Sequence, residues 1–274
     1  MVQRIARVEA VECASEHEAA WLERNLLERS MPPWNRTAGG QEAEVYIRLD
    51  ESARAPGVTV VHVPQAAAGV RHFGPYLGGA KVRLAVSGIR RVLPIDYAGL
   101  EPASAARELA SYRGAQPADL AELGGAIAAV LDREPVAVSA LTAELVRRRD
   151  AAARIQSYER AGRLQAELTA VHWVVSPQRA TVAAAPDADV CGWADGVLTR
   201  FEVRGGRLSG WRLFRRTLAQ ARPWLAATPP QWRDFAEHNA LLAAALAGTQ
   251  PPALRCAVSR FGSTEAGHFG QPVQ

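Results

Sequence analysis

Glu23 stands among residues that give its carboxylate an uncommon setting. Ser15 and Glu18 have the spacing of a capping box, which predicts a helix starting here. On that helix the residues three and four positions from Glu23 are Ala19, Ala20, Leu26 and Leu27, all apolar. The carboxylate therefore starts on the side that helices normally bury. An unpaired buried charge is costly, so a Glu placed there requires a cation, a donor or a cleft. The alternative is a place at the edge of the stripe, where the side chain reaches water. Pro32 and Pro33 break the helix, and Asn35 follows.

Two other groups of side chains carry chemical potential. Arg147, Arg148 and Arg149 form one basic run, and Arg212, Arg215 and Arg216 a second. Either they are solvated faces or they contact phosphate, for which the planar guanidinium fork is well suited. Tyr158, Ala161, Leu164 and Leu168 lie on one helical stripe that packs against Leu141, Leu145 and Ala152 of a preceding helix. Cys13, Cys191 and Cys256 are far apart and odd in number, which fits reduced thiols. Asp187, Asp189, His238 and His268 fall into no motif, and His172 beside Trp173 reads as a packed or half-exposed residue at a helix end.

The stretch Glu18-Ala19, Leu22-Glu23, Asn25-Leu26-Leu27, Pro32-Pro33, Trp34-Asn35 resembles the second half of the GIY-YIG nuclease domain of the UvrC family, the incision subunit of bacterial nucleotide excision repair. The family pattern there is E-A-x-x-L-E-x-N-L-I followed by P-x-Y-N. Arg71-His72-Phe73-Gly74-Pro75-Tyr76 resembles its Y-F-G-P-Y segment, and Arg90-Arg91-Val92-Leu93-Pro94-Ile95 its F-P-L-R stretch. Tyr158-Glu159-Arg160-Ala161-Gly162-Arg163-Leu164 resembles the F-E-x-A-A-x-L core of the UVR motif. Asp189-Val190-Cys191-Gly192-Trp193-Ala194 and Val203-Arg204-Gly205-Gly206 resemble the D-V-I-G-L-A and V-R-x-G motifs that follow. The matches occur in the family's order over roughly residues 1 to 217.

The resemblance implies a catalytic pair of Glu23, as ligand of Mg²⁺ or Mn²⁺, and Asn35, as its hydrogen-bonding support. It implies a UvrB-like partner docked through Tyr158, Glu159, Arg163 and Leu164, and double-stranded DNA held by arginines such as Arg147, Arg148, Arg212 and Arg215. The family's first hairpin, with G-I-Y and Y-I-G, and its catalytic Arg should precede Arg4, so they are expected to be missing. Trp34 replaces a Tyr, and Ala38-Gly39-Gly40-Gln41 a Lys-Asp-Asp loop. No cysteines stand between Asp96 and Gln116, so no iron–sulfur cluster is expected. Three readings follow: a repair protein related to the incision endonuclease but inactive alone, a non-catalytic adaptor for UvrB and DNA, or an active endonuclease whose first strands are encoded upstream of Met1.

The chain has 274 residues, 48% hydrophobic and 22% charged, with a formal net charge of +4. Such a composition suits a globular protein able to bury a sizeable core. Lys81 is the only lysine. An arginine surplus is compatible with DNA binding. No window resembles a membrane span or a secretion signal, which makes a cytoplasmic protein without membrane contact the simplest expectation.

Hydrophobic periodicity outlines the elements that must position these residues. Residues 1 to 14 alternate in part and read as a strand. Residues 45 to 49 and 58 to 63 read as strands, and 81 to 91 as a helix. A helix capped by Asp119 and Glu122, then an antiparallel pair from Ser139 to Ala153 and from Tyr158 to Val171, make a helical region. Asp195-Gly196 and Gly205-Gly206 mark tight hairpins between three more strands. The expected class is α+β. It comprises a partial GIY-YIG-like unit over 1–95, a helical region over 96–175 with the UVR-like hairpin at about 138–173, a small β-rich element over 176–217, and a C-terminal helix with a loose tail over 218–274.

Overall fold

The structure is a computed structural model that describes residues 8–32, 43–52, 56–98, 120–183 and 185–249. Asn35, Asp119, the 38–41 loop and the tail beyond residue 249 lie outside the described residues. Among those described, the chain is α+β, with seven α-helices and two three-stranded antiparallel sheets. It divides into two compact units, Ala14–Ala183 and a second formed by Met1–Cys13 with Ala184–Gln274. No helix among the described residues is long and apolar enough to cross a membrane.

In the first unit, helix α1 (Glu16–Ser30) begins at Ser15, whose Oγ accepts the Glu18 amide at 3.0 Å. It ends at Met31, which takes a left-handed conformation just before the prolines. Strands β1 (Glu44–Asp50), β2 (Gly57–Val61) and β3 (Val70–Leu77) form a sheet of order β2-β1-β3. Val45, Ile47 and Leu49 alternate inward from β1, the period-two pattern of a half-buried strand. β3 carries Gly74-Pro75, and the β1–β3 register shifts there; an edge strand tolerates a residue without an N–H at such a bulge.

Helix α2 (Gly79–Val92) buries Val82, Ala85, Val86 and Ile89 at helical spacing. Helices α3 (Leu120–Leu131), α4 (Pro135–Arg154) and α5 (Tyr158–Val175) complete the unit. Proline at the first position starts α4 earlier than Ser139, where its missing N–H costs nothing. α4 and α5 form the expected antiparallel pair, turned by Gln156 with φ 57°. The boundary expected near residue 95 does not coincide with a break in packing. Ile47 and Leu49 of the sheet, Ile89 of α2, and Leu145, Leu164 and Val171 of the helical pair belong to one core.

The second unit is a β-meander with two helices. β4 (Ala188–Ala194), β5 (Val197–Arg204) and β6 (Arg207–Arg215) pair in sequence order. The two connections are the two-residue turns Asp195-Gly196 and Gly205-Gly206, all four residues having positive φ as such hairpins require. Helix α6 (Leu218–Ala227) lays Ala221 and Leu225 against Cys191 and Leu198 on one face of the sheet. Helix α7 (Arg233–Thr249) packs on β4 and β5 from the other face. Residues 8–14, expected to continue a strand, adopt no regular structure.

Candidate functional site

Helix α1 buries a different stripe from the one expected. His17, Glu18, Trp21, Leu22 and Asn25 face inward, whereas Ala19, Ala20 and Glu23 are exposed. Of the two readings of Glu23, the structure takes the one in which the side chain reaches water: alanine is neutral about exposure, and the larger Trp21 and Leu22 set the orientation of the helix. The buried carboxylate is Glu18. Its Oε2 accepts the Ala14 amide at 2.6 Å, and its Oε1 accepts the Arg179 amide at 3.1 Å and Arg179 Nε at 2.9 Å. Asn25 Nδ2 donates to Ala180 O and to Thr181 Oγ1, both at 3.0 Å. Two polar residues of the family-like motif thus strap α1 to the segment that follows α5. Trp21 Nε1 donates to His17 Nε2 at 3.1 Å, and the His17 ring packs on Trp173 with centroids 4.4 Å apart.

Among the described residues, no group of three or more His, Cys, Asp or Glu side chains is placed to hold a metal ion. Mg²⁺ binds through one or two carboxylates plus waters and substrate oxygens, in near-octahedral geometry. Glu23 supplies one carboxylate on an exposed helical turn, and Asn35 lies outside the described residues. The described residues do not amount to a metal site.

The helical pair separates its residues into buried and available sets. Leu164 is buried in the core, so its expected place in a partner contact is corrected. Tyr158 is 68% exposed, and Glu159 and Arg163 are exposed beside it. Ile155, in the turn between the helices, is 73% exposed. It was missed in sequence; an apolar residue where a turn is ordinarily polar is the signal that could have found it. Arg147 and Arg148 both pair with Glu144, and Arg148 Nη1 also donates to Arg91 O at 2.6 Å. Hydrogen bonding from Arg147 is the chief cause that lowers the Glu144 carboxyl to about 2. Arg148 thus ties α4 to α2, which corrects its reading as an open phosphate contact, whereas Arg147 pairs with Glu144 on its own helix and its side chain is 67% exposed.

In the second unit, β5 and β6 place arginines side by side. Arg200 stands directly across from Arg212, and Arg204 from Arg207. Arg200 and Arg204 both reach Asp189 on β4, at 2.6 Å and 2.5 Å. Burial alone would raise the Asp189 carboxyl, but hydrogen bonds from Arg204 and Arg200 outweigh it and hold the group below the usual carboxylate range. Arg212 Nε lies 3.2 Å from Glu202. Arg200 also stacks on Trp224 of α6, 5.2 Å from the ring centre. Arg215 is exposed, across from Val197 and so on the opposite face. The alternation of Arg200, Glu202 and Arg204 with Phe201 and Val203 was the sequence signal for this charged face.

Neither a family model nor a solved structure matches the chain. Several curated proteins do. The chain is 27% identical over 229 residues to UvrABC system protein C of Geobacter metallireducens, covering 78% of this chain and 36% of that protein. It is 27% identical over 204 residues to that of Syntrophotalea carbinolica, covering 70% and 32%. A shorter stretch of 95 residues is 36% identical to that of Alcanivorax borkumensis, covering 35% and 16%. The chain spans about a third of the length of the relatives it matches most extensively. Similarity to UvrABC system protein C across most of this chain, repeated in several bacteria, supports a UvrC-family protein.

Proposed function

We propose that the chain serves nucleotide excision repair as an adaptor, docking a UvrB-like partner on the tip of the α4–α5 hairpin while its arginines hold DNA. The observation that carries the reading is the exposure of Ile155 and Tyr158 together at the turn end of a hairpin whose inner stripe, Leu141, Leu145, Leu164 and Leu168, is folded into the core. Two neighbouring exposed apolar side chains with charged Glu159 and Arg163 beside them have the make-up of a small docking patch, apolar in the middle and polar at the rim. Removing such an anchor typically costs more than 1 kcal/mol of binding.

Titration of the purified chain with UvrB from the same bacterium tests this. The double variant Ile155→Ser/Tyr158→Ala should bind at least tenfold more weakly, with an unchanged far-UV circular dichroism spectrum. A parent chain that does not bind UvrB overturns the reading.

A second reading, a metal-dependent endonuclease, is favoured by one observation. The Glu23 carboxylate is exposed, with no hydrogen-bond or ion-pair partner among the described residues, and so is accessible to an ion. It calls for Mg²⁺- or Mn²⁺-dependent nicking of damaged duplex that is lost in Glu23→Ala; nicking that survives the substitution rules Glu23 out.

A further inference from the structure

We infer that the face of β4–β6 bearing Arg200, Arg204 and Arg212 binds an unpaired nucleic-acid strand, its phosphates on the guanidinium groups and a base on Trp224. The inference rests on the proposed DNA contact and assigns it to one surface of the second unit.

The cross-strand register is the starting point. Like charges directly opposite each other destabilise a sheet, and here two arginine pairs, Arg200 with Arg212 and Arg204 with Arg207, are aligned in that way. Two carboxylates, Asp189 and Glu202, pair with these arginines; Asp189 lies deeper than Arg204 and Glu202 deeper than Arg212, whereas Arg200 is buried to the same depth as Asp189. The Asp189 and Glu202 side chains are 29% and 11% exposed, against 44% for Arg204 and 51% for Arg212. The acids therefore fix the Arg204 and Arg212 guanidinium groups on their deeper side and leave both side chains about half exposed, although Arg204 Nη1 also donates to Ala188 O and Val203 O at 2.8 Å and Arg200 Nε is buried. A planar fork held in this way matches the two free oxygens of a phosphodiester.

Trp224 supplies the second element. Its indole is 43% exposed, and Arg200 stacks on it, so that a cation and an aromatic surface adjoin. Proteins that bind unpaired strands combine a basic track along the backbone with aromatic rings on which bases stack. A paired duplex keeps its bases stacked inside and presents none to such a ring. The charge excess and the ring together select an unpaired strand.

Fluorescence anisotropy with a labelled twenty-residue oligothymidylate, and with a duplex of the same length, tests the assignment on the full chain. The parent should prefer the single strand. Arg204→Gln/Arg212→Gln should weaken binding at least tenfold and flatten the slope of log affinity against log salt by about 1.4, given about 0.7 for each phosphate contact on a single strand. Trp224→Ala should weaken it about fivefold or more. The charge-matched Arg71→Gln/Arg90→Gln, on exposed pairs of the first unit, should bind as the parent does. If the two double variants behave alike, or if the duplex is preferred, the inference is overturned while the DNA contact stands. If the parent binds neither probe, both are overturned.

Discussion

Arg91 closes a two-point ion pair on Glu167, Nε lying 2.7 Å from Oε2 and Nη2 2.7 Å from Oε1. Ser87 Oγ donates to the same carboxylate at 2.7 Å, and the Glu167 side chain is wholly buried between α2 and α5. Burial pushes this carboxyl upward, but hydrogen bonds from Arg91 and Ser87 outweigh it and hold it below the usual carboxylate range. A buried pair is weak evidence of net stabilisation, yet breaking one from a single side leaves a charge without compensation. Glu167→Ala should therefore cost about 3–5 kcal/mol in urea denaturation. Glu167→Gln, which keeps an acceptor for Arg91, should cost less. Equal stability of the alanine variant and the parent would refute this account.

Elements with strong local signals were legible in the sequence. The α2 stripe, the α4–α5 pair and the turns Asp195-Gly196 and Gly205-Gly206 depend on residues a few positions apart. β3 was not, because Gly74 and Pro75 break its strand pattern, and neither was α6, which has Pro223 inside it. The polar lining of α1 was hidden for another reason. Glu18 and Asn25 are satisfied by Arg179, Ala180 and Thr181, more than 150 positions away, and no periodicity carries such a contact. Without those partners Glu18 reads as a capping residue, and Glu23 as an acid either buried or at the edge of the stripe.

His17 makes the first unit sensitive to acid. Burial, followed by the charges of Arg133 and Lys81, lowers its imidazole from 6.5 to about 4. Above pH 6.5 the ring is neutral whether the chain is folded or not. Between pH 6.5 and about 4 the unfolded chain takes up the proton and the folded one does not, so stability falls with falling pH; below about 4 the loss is complete. The expected loss between pH 7 and pH 5 is about 2 kcal/mol. His17→Gln keeps an acceptor for Trp21 and does not titrate. Denaturation of both chains at the two pH values should show a steeper loss in the parent, and parallel losses would exclude His17 as the source.

Gly162 lies on the exposed side of α5, where the family pattern has alanine, and a Cβ built there meets nothing within 4 Å. Its φ is ordinary for a helix, so the glycine adds chain entropy without a compensating contact. Gly162→Ala should raise stability by about 0.5–1 kcal/mol. Partner binding should stay unchanged, since a methyl group at this position blocks neither Ile155 nor Tyr158. A lower thermal midpoint would show that the position is not the open helical site described.

Gly192 is the opposite case. A Cβ on it would lie 1.9 Å from Ala236 O and 2.3 Å from the Ala236 carbonyl carbon, both backbone atoms of α7. Real contacts of that kind need more than an extra ångström, so the helix would have to leave the sheet. α7 carries Phe235 and Ala236 into the core against Phe201, and lifting it exposes that apolar surface. Overpacking commonly costs about 1–3 kcal/mol where side chains can yield, and backbone cannot yield by rotating a side chain. Gly192→Ala should thus destabilise the second unit by more than that range and leave the first nearly unaffected. Limited proteolysis should cut first within residues 185–249 in the variant, with the 14–183 portion persisting. A variant as resistant as the parent would mean that β4 and α7 do not cross at this glycine.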